Sequence, residues 1–381
     1  MGFSLTPVVK EDFIDRDILL EEMYAELSNS ESNVGYAILG KRRVGKTSIF
    51  KELERRLRKV KGIVPIYFSV WDLIEFTLRE FCQKLSVEIL EAYRPLLGLG
   101  YRIRELLKTP TTMLRQILGK AQFKVIYKEL EFLLSIDKEF DKDRLIENTF
   151  TLPERLSKTI KCILFIDEFP SILNLKVNNA GIGEPIIRKI RTIFEDWEKT
   201  SICISGSIRS TMSVAVLSSS SPFYRQLIIR EIKPLEERWV RSLLLRNLPG
   251  ISKEAIKEIY SFSNGIPFYI QFLGKMLEKR RGSISIKDMR EVEWEFLSEE
   301  GNIIFKEEFE KLSSKERLII LAISNGHYTP KNIAKEVGEK ISNINRFLSY
   351  LKEKGEISRE EKGVYRIEDP VFARWLREKI W

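Results

Sequence analysis

The sequence predicts an α/β fold organised on a parallel sheet, followed by an all-helical segment and a small terminal domain. Three observations lead there. Short apolar runs at residues 34–39, 63–69, 162–166, 201–205 and 227–232 read as buried strands. Amphipathic stretches at residues 13–27, 47–60 and 186–197 read as helices between them, and strands alternating with helices build parallel sheets. From Leu235 the pattern is helical throughout, punctuated by Asn264-Gly265 and Pro267.

These runs divide the chain into a sheet-based core at residues 1–234, a small helical domain at 235–301 and a terminal domain at 313–381. A helical insert at about 71–158 interrupts the core. Its charge is lopsided. Arg94, Arg102, Arg104, Lys108, Arg115, Lys120, Lys124 and Lys128 precede an acidic stretch that runs from Glu129 to Glu147. A solvated helix face is the plainer account of this pattern than a binding surface. Residues 305–312 read as a helical connector. In the terminal domain, helices at 313–324, 330–337 and 341–354 precede a hairpin at 356–368 that turns at Lys362-Gly363. Three helices and a hairpin make a winged helix-turn-helix, an architecture that binds DNA in many proteins.

The 381 residues carry 43% hydrophobic and 31% charged side chains, a globular composition with an ionic surface. The net charge of +9 is compatible with nucleic acid without demanding it. One histidine, His327, and three scattered cysteines supply no zinc site or disulfide framework, and the cysteines read as buried apolar residues. No apolar run approaches the roughly 18 residues of a membrane span, and the first residues lack a secretory pattern, so the expectation is a cytoplasmic protein with no membrane partner.

The chemistry concentrates at Gly40-Lys41-Arg42-Arg43-Val44-Gly45-Lys46-Thr47, followed by Ser48. This fits G-x-x-x-x-G-K-[ST], a phosphate loop. The glycines let successive N–H groups point at phosphate oxygens, and the following helix adds its positive end. Lys46 is placed to neutralise the β- and γ-phosphates, and the Thr47 hydroxyl to bind Mg²⁺. The apolar run before Asp167-Glu168 supplies two carboxylates at a strand end. The first suits Mg²⁺ and the second a general base for the attacking water. Ser205 and Ser207 flank the end of the next strand, where a hydroxyl reaches either the γ-phosphate or a turn.

Phe13-Ile14-Asp15-Arg16, the loop 40–47, residues 165–169, Ser205-Gly206-Ser207, Ser221-Pro222-Phe223-Tyr224-Arg225 and Gly265-Ile266-Pro267-Phe268-Tyr269 occur in that order. Together they resemble the archaeal ATPase family, a branch of P-loop proteins close to the AAA+ and STAND groups. The resemblance implies a three-layer α/β/α core, a helical lid at 235–301 and a C-terminal winged helix. It implies Phe13 and Arg16 near the adenine, a sensor at Ser205 or Ser207 and a lid contact to nucleotide at Pro267. It also implies an arginine finger or sensor at Arg225, although Tyr224 stands where relatives commonly carry Gly.

The leading expectation is therefore an ATPase that binds ATP or ADP with Mg²⁺ and uses the nucleotide to set the arrangement of core, lid and winged helix. The alternative is a DNA-binding regulator or initiator-like protein in which ATP is mainly a structural ligand. A small-molecule phosphotransferase is a third reading, disfavoured by Glu168 beside Asp167 and by the winged helix. Candidate partners are DNA through the winged helix, another protein, or a second copy of the chain. Residues 313–381 hold 14 basic and 10 acidic residues, a moderate excess of positive charge.

Overall fold

The computed structural model describes residues 2–9, 13–96, 141–156, 160–206, 212, 216, 220–280, 282–361 and 363–378. Ser207, Lys362, the basic residues from Arg102 to Lys128 and the acidic residues from Glu129 to Glu139 lie outside the described residues.

The strands, in chain order, are β1 (Gly35–Gly40), β2 (Ile63–Ser69), β3 (Lys161–Asp167), β4 (Lys176–Val177), β5 (Ala180–Gly181), β6 (Thr200–Gly206), β7 (Leu227–Ile232), β8 (Ile357–Glu361) and β9 (Val364–Ile367). The main sheet has the order β2-β3-β6-β1-β7, and every pairing in it is parallel. β3 and β6 are buried along their whole length, which accounts for their apolar runs. Side chains alternate between the two faces. Cys162, Leu164 and Ile166 join a core with the helices Leu78–Tyr93, Lys142–Leu156 and Glu184–Phe194. Ile163 and Phe165 join the opposite core, with the helices Asp17–Ser28 and Lys46–Leu57. The result is a three-layer α/β/α core.

Burial pushes the thiols of Cys82, Cys162 and Cys203 up to about 12, so these residues act as small apolar side chains. The short hairpin β4–β5 escaped the sequence reading, because two-residue strands carry no periodicity. Its turn is made by Asn178 and Asn179, with φ of 50° and 65°, the left-handed pair that a two-residue hairpin requires.

Beyond β7, helices Glu237–Asn247, Lys253–Ser263, Pro267–Leu277, Ile286–Ser298 and Glu300–Glu310 lead to Ser314–Ser324, Pro330–Val337 and Ile341–Glu353, then to the antiparallel β8–β9 hairpin. Ser313 and Glu316 form a reciprocal capping box that starts the helix Ser314–Ser324. A final helix, Pro370–Glu378, was not expected from the sequence. It buries Trp375 against Phe305, Phe309 and Phe372, with ring centroids 6.0 to 6.2 Å apart. Through these rings the stretches 235–301 and 313–378 share one continuous hydrophobic core, which also takes in Phe3.

Arg374 of the final helix pairs with buried Glu293 of the helix Ile286–Ser298. Burial outweighs this partner and pushes the Glu293 carboxyl up to about 7. The folded chain then holds a proton there that the unfolded chain releases near its ordinary 4.5. Stability from this group is full below that value and declines as pH rises to about 7. Urea titrations of wild type and Glu293→Gln should show it. The midpoint of the wild type should fall relative to the variant between pH 5 and 7, and a constant difference across that window would contradict the shift.

Candidate functional site

Parallel pairing brings the C-terminal ends of the strands to one edge, and the site is built along it. β1 runs into the loop at Gly40, where a Cβ would stand 2.8 Å from the Ile232 carbonyl oxygen, so only glycine fits. Gly45 takes φ of 98° at the N-cap of the helix Lys46–Leu57, with no side chain capping that end. The first N–H groups of the helix are thereby left to an anion.

Lys46 is buried, and its Nζ donates to the carbonyls of Gly40 (3.2 Å) and Lys41 (3.0 Å) across the loop. An ammonium has three N–H bonds, so one remains for a phosphate oxygen. Burial lowers the Lys46 pKa, while Glu168 and Asp167 act to keep it charged.

Asp167 is buried at the end of β3 and saturated with donors. Oδ2 accepts from Thr47 Oγ1 at 2.6 Å and from Tyr67 OH at 2.9 Å. Oδ1 accepts from Ser205 Oγ and from the Glu168 N–H at 3.2 Å. A hydroxyl and a carboxylate in contact are oxygen donors of the kind Mg²⁺ takes. Tyr67 was missed in the sequence. Burial and Asp167 push its phenol well above the usual range, so it stays a donor. Lys51 Nζ lies 3.8 Å from the centre of its ring. A tyrosine in an apolar strand reads as core, and only the register of β2 against β3, which pairs Ser69 with Asp167, shows that it reaches the carboxylate.

Ser205 departs from the expectation of a phosphate sensor. It is fully buried, gives its proton to Asp167 and accepts from the Glu168 N–H at 3.3 Å. Strand alternation aims it at the neighbouring carboxylate rather than at the loop mouth. Glu168 follows with φ of 52° and ψ of 41°, a left-handed conformation at the start of the 3₁₀ turn Phe169–Asn174. Such a conformation is uncommon for a residue with a Cβ.

Phe13, Arg16, Val44, Gly45, Ser48 and Pro267 line one cleft beside the loop. Ser48 Oγ accepts from the Val8 N–H at 3.2 Å, and Ser4 N–H donates to Gln271 Oε1 at 2.9 Å. Residues 2–8 therefore run between the loop helix and the helix Pro267–Leu277. Arg16 is engaged by Asp15 at 3.3 Å and by the Lys233 carbonyl just past β7. The side chains of Lys41, Arg42 and Arg43 are held by acids of the C-terminal helices rather than lining this cleft.

Arg225 is not brought to the loop. β1 and β7 are parallel, with Gly35 opposite Leu227 and Gly40 opposite Ile232. Arg225 precedes β7, at the far end of a six-residue strand. That separation is about 20 Å at roughly 3.3 Å per residue. Its guanidinium is exposed and lies over Tyr224, 5.2 Å from the ring centre. Arg225 thus stands at the edge of the sheet opposite the loop.

No family model matches the chain. An uncharacterized protein of Methanocaldococcus jannaschii is 30% identical over 225 residues, which are 56% of this chain and 48% of that protein. The chain thus spans about half the length of that curated relative. Among solved structures, the Walker-type ATPase of Pyrococcus abyssi is similar with a TM-score of 0.69 at 19% identity, covering 99% of this chain and 100% of that one. The ORC2 protein of Aeropyrum pernix, solved in ADPNP and ADP complexes, gives a TM-score of 0.60 at 12% identity over 97% and 96% of the two chains. Identities this low speak to fold. The sheet order, the loop and these likenesses together identify the fold as the P-loop ATPase fold that those two archaeal proteins share.

Proposed function

We propose that the chain binds ATP and hydrolyses it with Mg²⁺, and that the bound nucleotide sets the arrangement of its C-terminal helices. The observation that carries this reading is Thr47 hydrogen-bonded to buried Asp167 beside an uncapped helix start and a buried lysine. In this reading the amides of the loop 40–47 and Lys46 hold the β- and γ-phosphates, and the base sits in the cleft of Phe13, Arg16 and Pro267. Mg²⁺, when bound, neutralises phosphate charge. Thr47 and Asp167 would hold the metal, with Tyr67 and Ser205 keeping Asp167 in place. Glu168 takes the proton of the attacking water. The setting is the cytoplasm.

Lys46→Ala should abolish the rise in melting temperature that Mg·ATP gives the wild type. Glu168→Gln should keep that rise but slow hydrolysis at least about 10²-fold, the usual scale for a lost general base. Tyr67→Phe should raise the Mg²⁺ concentration for half-maximal turnover by about tenfold, the lower end for losing a partner of a metal ligand. A wild type without any nucleotide-dependent thermal shift would sink the whole reading.

The position of Arg225 supports only a finger supplied to a neighbouring copy. Arg225→Ala should then reduce turnover with ATP affinity retained, and wild-type specific activity should rise with protein concentration. Full activity of the variant at every concentration removes the residue from the site.

A second reading is that the terminal helices and hairpin form a winged helix that binds DNA. It is favoured by the outer face of the helix Ile341–Glu353, where Ser342, Asn345, Arg346, Ser349 and Lys352 are exposed. On the hairpin, Glu360 is paired with Arg366, which reduces its repulsion of phosphate. Binding of this kind should be backbone-driven. Duplex affinity, followed by anisotropy, should drop on the order of 10²-fold between about 50 and 200 mM salt for three to five phosphate contacts. Arg346→Ala should weaken binding to all sequences alike. No binding at micromolar protein and low salt would leave this unit as a protein-interaction module.

A further inference from the structure

The three positions between Gly40 and Val44 all carry cations, and acids from the far end of the chain hold every one of them. Lys41 Nζ lies 3.2 Å from Glu368 Oε1 and 3.3 Å from the Glu368 carbonyl. Arg42 Nη1 and Arg43 Nη2 share Glu308 Oε1, at 3.3 and 3.1 Å. Arg43 Nη1 reaches Asp369 Oδ2 at 2.9 Å and Tyr269 OH at 3.0 Å, and the tyrosine gives its own proton to the same Asp369 oxygen. The guanidinium lies 5.5 to 5.8 Å from the ring centres of Phe268, Tyr269 and Phe305. Isolated surface pairs contribute little. Here the pairs of Lys41 and Arg43 are part-buried, Arg42 and Arg43 share the Glu308 carboxylate, and all converge on one loop.

Asp369 has two engaged faces. While Oδ2 holds Arg43, Oδ1 accepts the N–H groups of Val371 (2.9 Å) and Phe372 (3.2 Å) and so caps the final helix. The loop is thereby tied to the helix that carries Trp375 into the C-terminal core.

We infer that this network is a latch docking the C-terminal helices and hairpin onto the phosphate loop, and that a bound nucleotide loosens it. The inference rests on the phosphate-loop reading above, and charge gives its direction. The phosphates bring negative charge to the loop whose cations pair with Glu308, Glu368 and Asp369. They compete for those cations and repel those acids. The acids already crowd one another. Burial, with Glu308 and Asp369 nearby, pushes the neighbouring Glu356 carboxyl up to about 7. Because coupling is reciprocal, a chain relieved of the latch must bind nucleotide more tightly.

The test is Mg·ADP titration calorimetry on the full chain and on a Glu308→Gln, Asp369→Asn double variant. Asparagine is as good an N-cap as aspartate, so the charge is removed while the final helix keeps its cap. The Kd should fall about tenfold, within the usual range of coupling between sites. In the wild type, Mg·ADP should also speed amide exchange in β8–β9 and in the helix Pro370–Glu378. An unchanged or weaker affinity in the folded variant overturns the latch, as does unchanged exchange in the wild type. A wild type that binds no Mg·ADP removes the phosphate-loop reading and the latch with it. A wild type that binds with the same Kd as the variant removes the latch alone.

Discussion

Parallel pairing fixes where chemistry takes place in this chain. Every strand of the main sheet runs the same way, so the residues that end β1, β2, β3, β6 and β7 meet on one edge. The glycine loop leaves from that edge, and Asp167 stands two strands away from it. Ser205, opposite Ile38 in the strand between them, braces the carboxylate. Tyr67 reaches the same carboxylate from the outer side, from β2. Reversing any one of these strands would move its contribution to the opposite edge, where Arg225 lies. The burial of β3 and β6 on both faces is what holds this register in place.

Much of the site could be read from the sequence because its parts are local. A loop with glycines at fixed spacing, a lysine and a threonine at a helix start, and an apolar run ending in two carboxylates each lie within eight residues. What could not be read depends on register and on distant contacts. Ser205 at its strand end suited either a phosphate contact or a turn, and alternation turns it to Asp167. Tyr67 looked like core because its ring is core-like, and only its hydroxyl meets the site. Arg225 was placed by resemblance just before the last core strand, which left open whether it serves its own chain or a neighbour. The helix Pro370–Glu378 spans nine residues directly after the hairpin, too short a stretch for its periodicity to stand out.

The distribution of charge follows from the same geometry. A loop that concentrates Lys41, Arg42, Arg43 and Lys46 in a few residues needs counter-charge, since like charges so close repel and the buried Lys46 cannot turn to water. Lys46 finds two backbone carbonyls and the field of Asp167 and Glu168. The other three find Glu308, Glu368 and Asp369, about 265 to 330 residues away in the chain. Arginine at position 43 suits this better than lysine would. Its planar fork reaches Glu308 with one nitrogen and Asp369 with the other, while its face lies near three aromatic rings. A lysine offers a single nitrogen in place of this fork, without the planar face. The left-handed backbone of Arg43, with φ of 65°, aims that fork out of the loop while the glycines keep the amides pointing in. One residue thus faces two ways, with its backbone in the loop and its side chain turned to the last helix. Through that side chain the sheet edge is joined to helices that begin beyond residue 300.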